Sequence, residues 1–176
     1  EVNKALESWS KDTDKLVVAI DGYTGVGKTT LLNNLASLNP DIIPVNRDDF
    51  QIPRNEFEKL MKTRNDKSSI FELEMNDSAK LEKLVDTFRK SNEPYKIMAY
   101  DGTTGENIIP KTYDFSKKIM VIEGVFMLHP KLLNKLWDKR IYLYGDTDKI
   151  DERRIKREKE RWGEKYFPED HPDSYF

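Results

Sequence analysis

Short apolar runs alternate with polar and charged segments along the chain, and the first of these runs predicts a buried strand. Leu16–Ile20 (LVVAI) is uninterrupted and rich in β-branched residues, which is typical of a strand covered on both faces. The same reasoning predicts three more core strands and one short strand apart from the core. The core strands are Asp41–Val45, Lys118–Ile122 and Arg140–Tyr144, and the short strand is Tyr95–Ala99.

Between these runs the apolar residues recur at helical spacing. Ser78–Arg89 carries an apolar stripe at positions 81, 84, 85 and 88, and Thr29–Leu38 is a predicted helix that Pro40 brings to an end. The remaining predicted helices are Val2–Trp9, Glu56–Met61, Leu132–Trp137 and Lys149–Trp162. Strands that alternate with helices predict an α/β fold in which a parallel sheet is covered on both faces.

The composition limits the class of protein. A chain of 176 residues with 37% apolar and 35% charged residues suits one domain, residues 1–176, with a single core. The net charge of −2 predicts neither nucleic acid nor membrane as a partner, and no signal peptide or membrane-spanning run is visible. The absence of cysteine excludes disulfides and thiolate chemistry. Because no signal peptide or membrane-spanning run is visible, the cytoplasm is the expected location.

The stretch GYTGVGKTT, which follows the first strand, predicts a phosphate-binding loop (P-loop). It matches G-x-x-x-x-G-K-[ST], in which backbone N–H groups and a helix N-terminus surround phosphate oxygens. Lys28 would reach the β- and γ-phosphates of ATP, and the Thr29 hydroxyl would bind Mg²⁺. The alternative is a glycine-rich turn with an incidental lysine, but a strand before and a helix after favour the P-loop. The predicted ATP-binding residues are Gly22, Tyr23, Thr24, Gly25, Val26, Gly27, Lys28, Thr29 and Thr30.

Three further motifs, read together with the P-loop, give the chain a family resemblance. NRDDF begins at Asn46, VIEGVFML at Val121 and DERRIKRE at Asp151. In this order the motifs resemble those of the uridine kinase and phosphoribulokinase group of P-loop kinases, over roughly residues 16–163. The resemblance implies a three-layer α/β/α sandwich with a mainly parallel sheet, a helical lid at about 149–163 and a small acceptor-covering insertion at about 51–115. Such folds usually continue into a fifth core strand after the lid, so either the chain is truncated or its sheet is smaller.

Carboxylates follow two of the predicted strands. Neighbouring side chains of an extended segment point to opposite faces, so only one of Asp48 and Asp49 should face the phosphate. The resemblance makes Asp48 the base that accepts the proton of the acceptor hydroxyl, and Asp49 a structural group. Glu123 ends a strand where ligands bind in α/β sheets and would hold Mg²⁺, with Gly124 letting substrate or backbone approach. Asp21 is interpreted as a brace of the P-loop in preference to a distant magnesium partner.

The last predicted helix carries a column of arginines, Arg153, Arg157 and Arg161, with Arg154 beside it. A salt-bridged surface helix is one interpretation, because glutamates lie among them. The resemblance implies the other, a lid in which Arg153 contacts ATP while Arg154 and Arg157 stabilise the transferring phosphoryl group. The family's run after these residues differs here, where the sequence is RWGE from position 161, so no role is carried to it.

The acceptor side carries weaker signals. Tyr100 and Asp101 match a tyrosine–aspartate pair with which uridine kinases contact the nucleoside, although Asp101-Gly102 is equally a turn signal. Arg47 and Arg54 could bind an anionic acceptor, or could be solvated surface arginines.

These observations predict an enzyme that transfers the γ-phosphoryl group of ATP-Mg to a hydroxyl of a nucleoside-like or other small alcohol. The alternative is a nucleotide-binding regulatory NTPase without an acceptor. Asp48 and the arginines of the lid speak against that alternative, and a homo-oligomer is left open.

Overall fold

The computed structural model describes residues 1–132 and 135–168, and its strands build two separate sheets. The strands are β1 (Leu16–Gly22), β2 (Ile42–Asn46), β3 (Tyr95–Asp101), β4 (Glu106–Tyr113), β5 (Ile119–Glu123) and β6 (Lys139–Leu143). The helices are α1 (Val2–Trp9), α2 (Lys28–Leu38), α3 (Arg54–Thr63), α4 (Lys67–Ser69), α5 (Ser78–Lys90) and α6 (Thr147–Trp162).

The core sheet has four parallel strands in the order β2-β5-β1-β6. Its register brings the carboxyl ends of the strands level, since Glu123 pairs with both Ile20 and Asn46, and Gly22 pairs with Leu143. Ligands of open α/β sheets bind at this edge. The P-loop and the segments after β2 and β5 therefore leave the sheet at the same place.

Apolar residues cover the core sheet on both faces. One face packs on α1 and α2 through Leu6, Leu32 and Leu35, and the other packs on α5 through a stripe that includes Leu84 and Phe88. Alternate residues of β1 supply the two faces, as the two-residue period of a strand requires. The predicted three-layer α/β/α architecture with a parallel sheet is confirmed.

The second sheet is an antiparallel hairpin of β3 and β4, which corrects the prediction of a single short strand apart from the core. Strand β4 has little apolar alternation, because most of its residues are exposed, and it contains Pro110. A two-stranded ribbon tolerates such a sequence, whereas a central strand would not. The predicted insertion, about residues 51–115, contains this hairpin, α3, α4 and a π-helical turn at Ile70–Glu74, and also α5, which packs on the core sheet.

Two other expectations differ from the structure. The segment Arg47–Phe50 is a 3-10 turn and not an extended segment, because the Asn46 side chain accepts a hydrogen bond from the Asp48 N–H at 2.9 Å and caps the turn. The helix predicted at Leu132–Trp137 includes residues 133 and 134, which lie outside the described residues. The described positions 132 and 135 are in turns, and the Trp137 indole N–H donates to the Met127 carbonyl at 2.8 Å.

After α6 the described residues 163–168 contain a 3-10 turn, Gly163–Lys165, and no strand. Within the described ranges 1–132 and 135–168, no helix combines the length and the apolar character needed to cross a bilayer.

Candidate active site

The P-loop joins β1 to α2 and turns through three glycines with positive φ. The φ angles of Gly22, Gly25 and Gly27 are 150°, 86° and 105°, values that side chains with a Cβ rarely adopt. Gly27 is the N-cap residue of α2, so the helix begins directly at Lys28. The free N–H groups of the first helical turn then face the loop, where an anion would bind.

The Lys28 ammonium lies inside this loop. Its Nζ donates to the carbonyl oxygens of Gly22 and Tyr23 at 2.8 and 3.1 Å, and the residue is only 8% exposed. Burial lowers the pKa of Lys28, and the nearby charges of Glu123 and Asp48 partly offset this effect. The loop therefore holds a partly desolvated ammonium beside the N-terminus of α2, where it can contact an anion.

Thr29 and Glu123 form a pair that fits a magnesium ion. The Thr29 hydroxyl donates to Glu123 Oε1 at 2.7 Å, and Glu123, at the end of β5, is 3% exposed. Burial raises the pKa of Glu123, and the Thr29 hydrogen bond and the Lys28 charge oppose that rise. One carboxylate and one hydroxyl, completed by water and phosphate oxygens, are the ligands that Mg²⁺ prefers in phosphoryl-transfer sites.

Among the described residues no group of three or more acidic or histidine side chains could hold a metal by itself. Asp21 does not supply a further ligand in this arrangement, because both of its oxygens accept backbone N–H groups. Its Oδ1 accepts from Gly22 at 2.7 Å and its Oδ2 from Leu128 at 2.9 Å. Asp21 braces the P-loop against the loop that follows β5, as the preferred interpretation of the sequence predicts.

The two aspartates after β2 have different surroundings. Asp49 accepts two hydrogen bonds from Lys111 Nζ, both at 2.7 Å, and one from the Tyr113 hydroxyl at 3.2 Å. Burial, together with the Asp49 charge, raises the pKa of Tyr113, so this hydroxyl stays protonated. Asp48 is exposed, and within the described part of the chain its carboxylate has no hydrogen-bond or ion-pair partner. Asp48 is therefore the carboxylate that remains available to a ligand.

Arg47 is buried, which contradicts both expectations for it, a solvated arginine and a contact to an anionic acceptor. It is 1% exposed, and its guanidinium donates to the carbonyl oxygens of Val125 and Glu72. Burial lowers the pKa of Arg47, and the Asp48 and Asp21 charges oppose this shift. The close approach of its side chain also explains Gly124, where a Cβ would lie 2.6 Å from the Arg47 Cβ.

Helix α6 packs against the P-loop with one face. A Cβ at Gly25 would lie 3.5 Å from the Arg154 Cβ, and the Arg154 side chain is 15% exposed. Arg157 is close enough for its charge to lower the pKa of Lys28, although its side chain is 55% exposed and lies 3.1 Å from Glu158. Both arginines thus lie beside the phosphate-binding loop.

The other two arginines of α6 have different neighbours. Arg153 is exposed, and its Nε donates at 3.0 Å to the Lys149 carbonyl of its own helix. Arg161 stacks on Trp162, and its guanidinium would lie 3.4 Å from a Cβ at Gly102, in the turn of the β3–β4 hairpin. The far end of α6 therefore approaches the hairpin, so the helix extends from the P-loop to the insertion.

The hairpin turn uses the Asp101 carboxylate for its own stability. Asp101 accepts from the Thr103 N–H at 2.9 Å and from the Thr104 hydroxyl at 3.0 Å, and these hydrogen bonds lower its pKa. The turn predicted from Asp101-Gly102 is present, and Tyr100 is half-buried before it. Arg54 is exposed, and its guanidinium donates to the Gly102 carbonyl at 2.9 Å, so it also supports this turn.

Sequence reasoning missed the residues that hold the segment Arg47–Phe50 in place. Lys111 and Tyr113 lie two positions apart on β4 and therefore share a face of the hairpin, which is the one signal that could have paired them. Glu72 and Val125 contribute only carbonyl oxygens, for which a sequence carries no residue-type signal.

The structure brings together a P-loop before α2, a carboxylate at the end of β5 and an aspartate after β2 on a three-layer α/β fold, with an arginine-bearing helix beside the loop. The sequence profile of the Phosphoribulokinase / Uridine kinase family matches residues 17–167, and the chain belongs to this family. The predicted family resemblance is confirmed.

Two curated relatives illustrate the similarity. Human nicotinamide riboside kinase 1 is 25% identical over 143 residues, which are 80% of this chain and 64% of that protein. The uridine kinase of Ureaplasma parvum serovar 3 is 28% identical over 149 residues, which are 81% of this chain and 69% of that protein. The chain thus spans about two thirds of the length of these relatives.

A solved structure supports the fold. The structure of a possible uridine kinase from Bacillus stearothermophilus superimposes with a TM-score of 0.65 and covers 85% of this chain and 84% of its own. At 22% identity this likeness concerns the fold alone.

Proposed function

We propose that this protein is an ATP-dependent kinase that transfers the γ-phosphoryl group to a hydroxyl of a small acceptor, with Asp48 as the base. The observation that carries the proposal is the exposed Asp48 carboxylate, which has no partner within the described residues and lies close enough to affect the pKa of Lys28. A carboxylate kept available beside a phosphate-binding lysine suits a hydroxyl nucleophile.

In the proposed reaction the loop Gly22–Thr30 binds the phosphates of ATP, with Lys28 at the β- and γ-phosphates. Asp48 accepts the proton as the acceptor oxygen bonds to the γ-phosphorus and the bond from this phosphorus to the β–γ bridging oxygen breaks. Arg154 and Arg157 stabilise the charge on the transferring group, and Arg153 contributes to nucleotide binding from the exposed side of α6. Catalysis then rests on positioning and electrostatics.

Mg²⁺ would neutralise the charge of the phosphates, and Thr29 with Glu123 would hold it. On the acceptor side we propose that Tyr100 contacts the substrate, with Asp101 fixing the turn beside it. The names of the two relatives make a nucleoside or a nucleoside-like vitamin the first acceptor class to test. We further propose that the protein is cytoplasmic, that its partners are ATP and a small molecule, and that it can form a homo-oligomer.

The test measures ADP production with Mg²⁺ and ATP, with and without uridine, cytidine, nicotinamide riboside and a set of aliphatic alcohols. The expected result is turnover that depends on one acceptor class, with a phosphomonoester product that mass spectrometry detects. Lys28→Ala protein, purified in the same way, controls for contaminating kinases. ATP hydrolysis that proceeds equally with and without every acceptor would contradict the proposal and favour a regulatory NTPase.

A further inference from the structure

Arg47 is a buried cation that the proposed reaction does not use. It is among the largest fully buried side chains of the described structure, at 1% exposure. Burying a charge is unfavourable unless hydrogen bonds compensate for the lost water. A residue that serves only to fill space would be apolar, so the hydrogen bonds of this guanidinium indicate what it does.

The guanidinium joins three segments that are distant in the sequence. Arg47 itself belongs to the turn after β2, and it donates to the Val125 carbonyl in the loop after β5. Its other terminal nitrogen lies 3.4 Å from the Glu72 carbonyl, in the π-helical turn of the insertion. The same two partner segments meet again where His129 Nε2 lies 3.7 Å from Glu72 Oε2.

The other flank of Asp48 is fixed as well, but to a different part of the insertion. Asp49 is bound to Lys111 and Tyr113 of β4. Asp48 therefore lies between two anchored neighbours, a cation tied to the loop after β5 and an anion tied to the hairpin. Its own carboxylate is left exposed, as a base requires.

We propose that Arg47 is a positioning residue that couples the acceptor-covering insertion to the Asp48 base. This inference rests on the proposed function, because it assigns Asp48 its role there. The planar fork of an arginine bonds carbonyls in two segments through two separate nitrogens at a fixed angle, whereas an ammonium has one nitrogen and a thioether has no donor. The Arg47 side chain would then transmit a movement of the turn that contains Glu72 to the backbone of Asp48.

The experiment compares Arg47→Met, Arg47→Lys and the wild type. Methionine fills the buried volume without bonding the two carbonyls, and lysine restores the charge and one hydrogen bond. With the acceptor that the ADP-production test identifies, we expect kcat to fall about a hundredfold in Arg47→Met, since a base displaced by about 1 Å has this effect. The kcat of Arg47→Lys should be about tenfold higher than that of Arg47→Met, and KM for ATP should stay within about twofold of wild type in both variants.

Lys62→Met is the control, because Lys62 is an exposed cation of α3 in the same insertion. It should keep wild-type kcat. A purely structural role for Arg47 predicts instead that ATP binding, acceptor turnover and melting temperature fall together. That result, or an Arg47→Met variant with wild-type kcat, would overturn the proposal.

Hydrogen–deuterium exchange of the same proteins separates this inference from the proposed function. In Arg47→Met, peptides that cover residues 47–50, 70–74 and 124–128 should exchange faster together, while the P-loop peptide should not change. If no acceptor is ever phosphorylated, the proposed function fails, yet the exchange data still decide the coupling. Unchanged exchange in the 70–74 and 124–128 peptides would refute the proposed coupling through Arg47.

Discussion

The phosphate-binding half of the proposed active site and its proposed acceptor half are built in different ways. Residues 22–30 form the first half from one continuous stretch, in which Lys28 bonds carbonyls five and six positions away. The acceptor half is joined by contacts across long separations, 62 positions for Lys111 and Asp49 and 78 for Arg47 and Val125. The first half therefore forms with local structure, whereas the second depends on the whole fold.

Lys28→Ala should have the largest effect, because it removes the cation of the phosphate-binding half. We expect acceptor phosphorylation to fall about 10⁴-fold, since the lysine contacts the phosphates that are being separated. Steady-state ADP production measures the effect, with Lys83→Ala on the exposed face of α5 as control. Near wild-type turnover would contradict the assignment of the P-loop.

Asp48→Asn tests the proposed base, which lies where the phosphate-binding half meets the acceptor half. It should lower kcat about 10³-fold by removing the base, while the Kd for ATP stays within about twofold. Asp49→Asn should lose less activity but more stability, because it weakens the contacts to Lys111 and Tyr113. The reverse order of activities would move the base to Asp49.

Glu123→Gln, in the phosphate-binding half, should lower activity but raise stability. We expect activity to fall about a hundredfold at fixed Mg²⁺, because an amide binds this ion poorly. Burial raises the pKa of Glu123, so the folded state binds this proton more tightly than the unfolded chain does. The ionised carboxylate therefore lowers stability above the ordinary pKa of 4.5, and that contribution is absent below it.

Calorimetry should accordingly show a higher melting temperature for Glu123→Gln at pH 8, and a difference that disappears as the pH falls below 4.5. Glu82→Gln, at an exposed position of α5, is the control and should show neither effect. A variant that is less stable at pH 8 would show that ionised Glu123 is stabilised more by Thr29 and Lys28 than it is destabilised by burial.

Substitutions of the arginines of α6 should give the smallest effects. The order of their kcat losses tests which of these arginines act at the P-loop. Arg157→Met and Arg154→Met should each lower kcat about tenfold or more, because both lie beside the loop. Arg153→Met should stay within about threefold, since its Nε bonds the Lys149 carbonyl and the side chain is exposed. Single-turnover kinetics provides the measurement, and a larger loss in Arg153→Met than in Arg157→Met would invert this ranking.

The same contrast explains which features the sequence could predict. The strands of the core sheet and helices such as α2 have local signals, an apolar run or a helical period followed by Pro40, and the predicted segments agree with the structure to within a few residues. The P-loop depends on one contiguous motif and was predicted for the same reason. Asp21 was also interpreted correctly, because one of its oxygens bonds the neighbouring Gly22 N–H, whereas its bond to the Leu128 N–H has no local signal.

The acceptor half carries few local signals. Strand β4 is mostly exposed, so its sequence lacks the alternation that marks a half-buried strand. The burial of Arg47 depends on carbonyls of Val125 and Glu72 that no side-chain pattern reveals. The 3-10 turn at Arg47–Phe50 arises from the cap that Asn46 provides, which is a geometric detail that the motif alone does not specify.

The hydrogen bonds of the Lys28 ammonium to the Gly22 and Tyr23 carbonyls have a consequence for selectivity. An anion that binds this ammonium must displace it from the two carbonyl oxygens. The net affinity of the anion is therefore the difference between the contacts that it gains and the hydrogen bonds that it breaks. Orthophosphate would reach only part of the loop and would compensate poorly for the hydrogen bonds that it displaces. The triphosphate of the proposed nucleotide would contact the loop along its length, so these internal hydrogen bonds would favour the nucleotide over small anions.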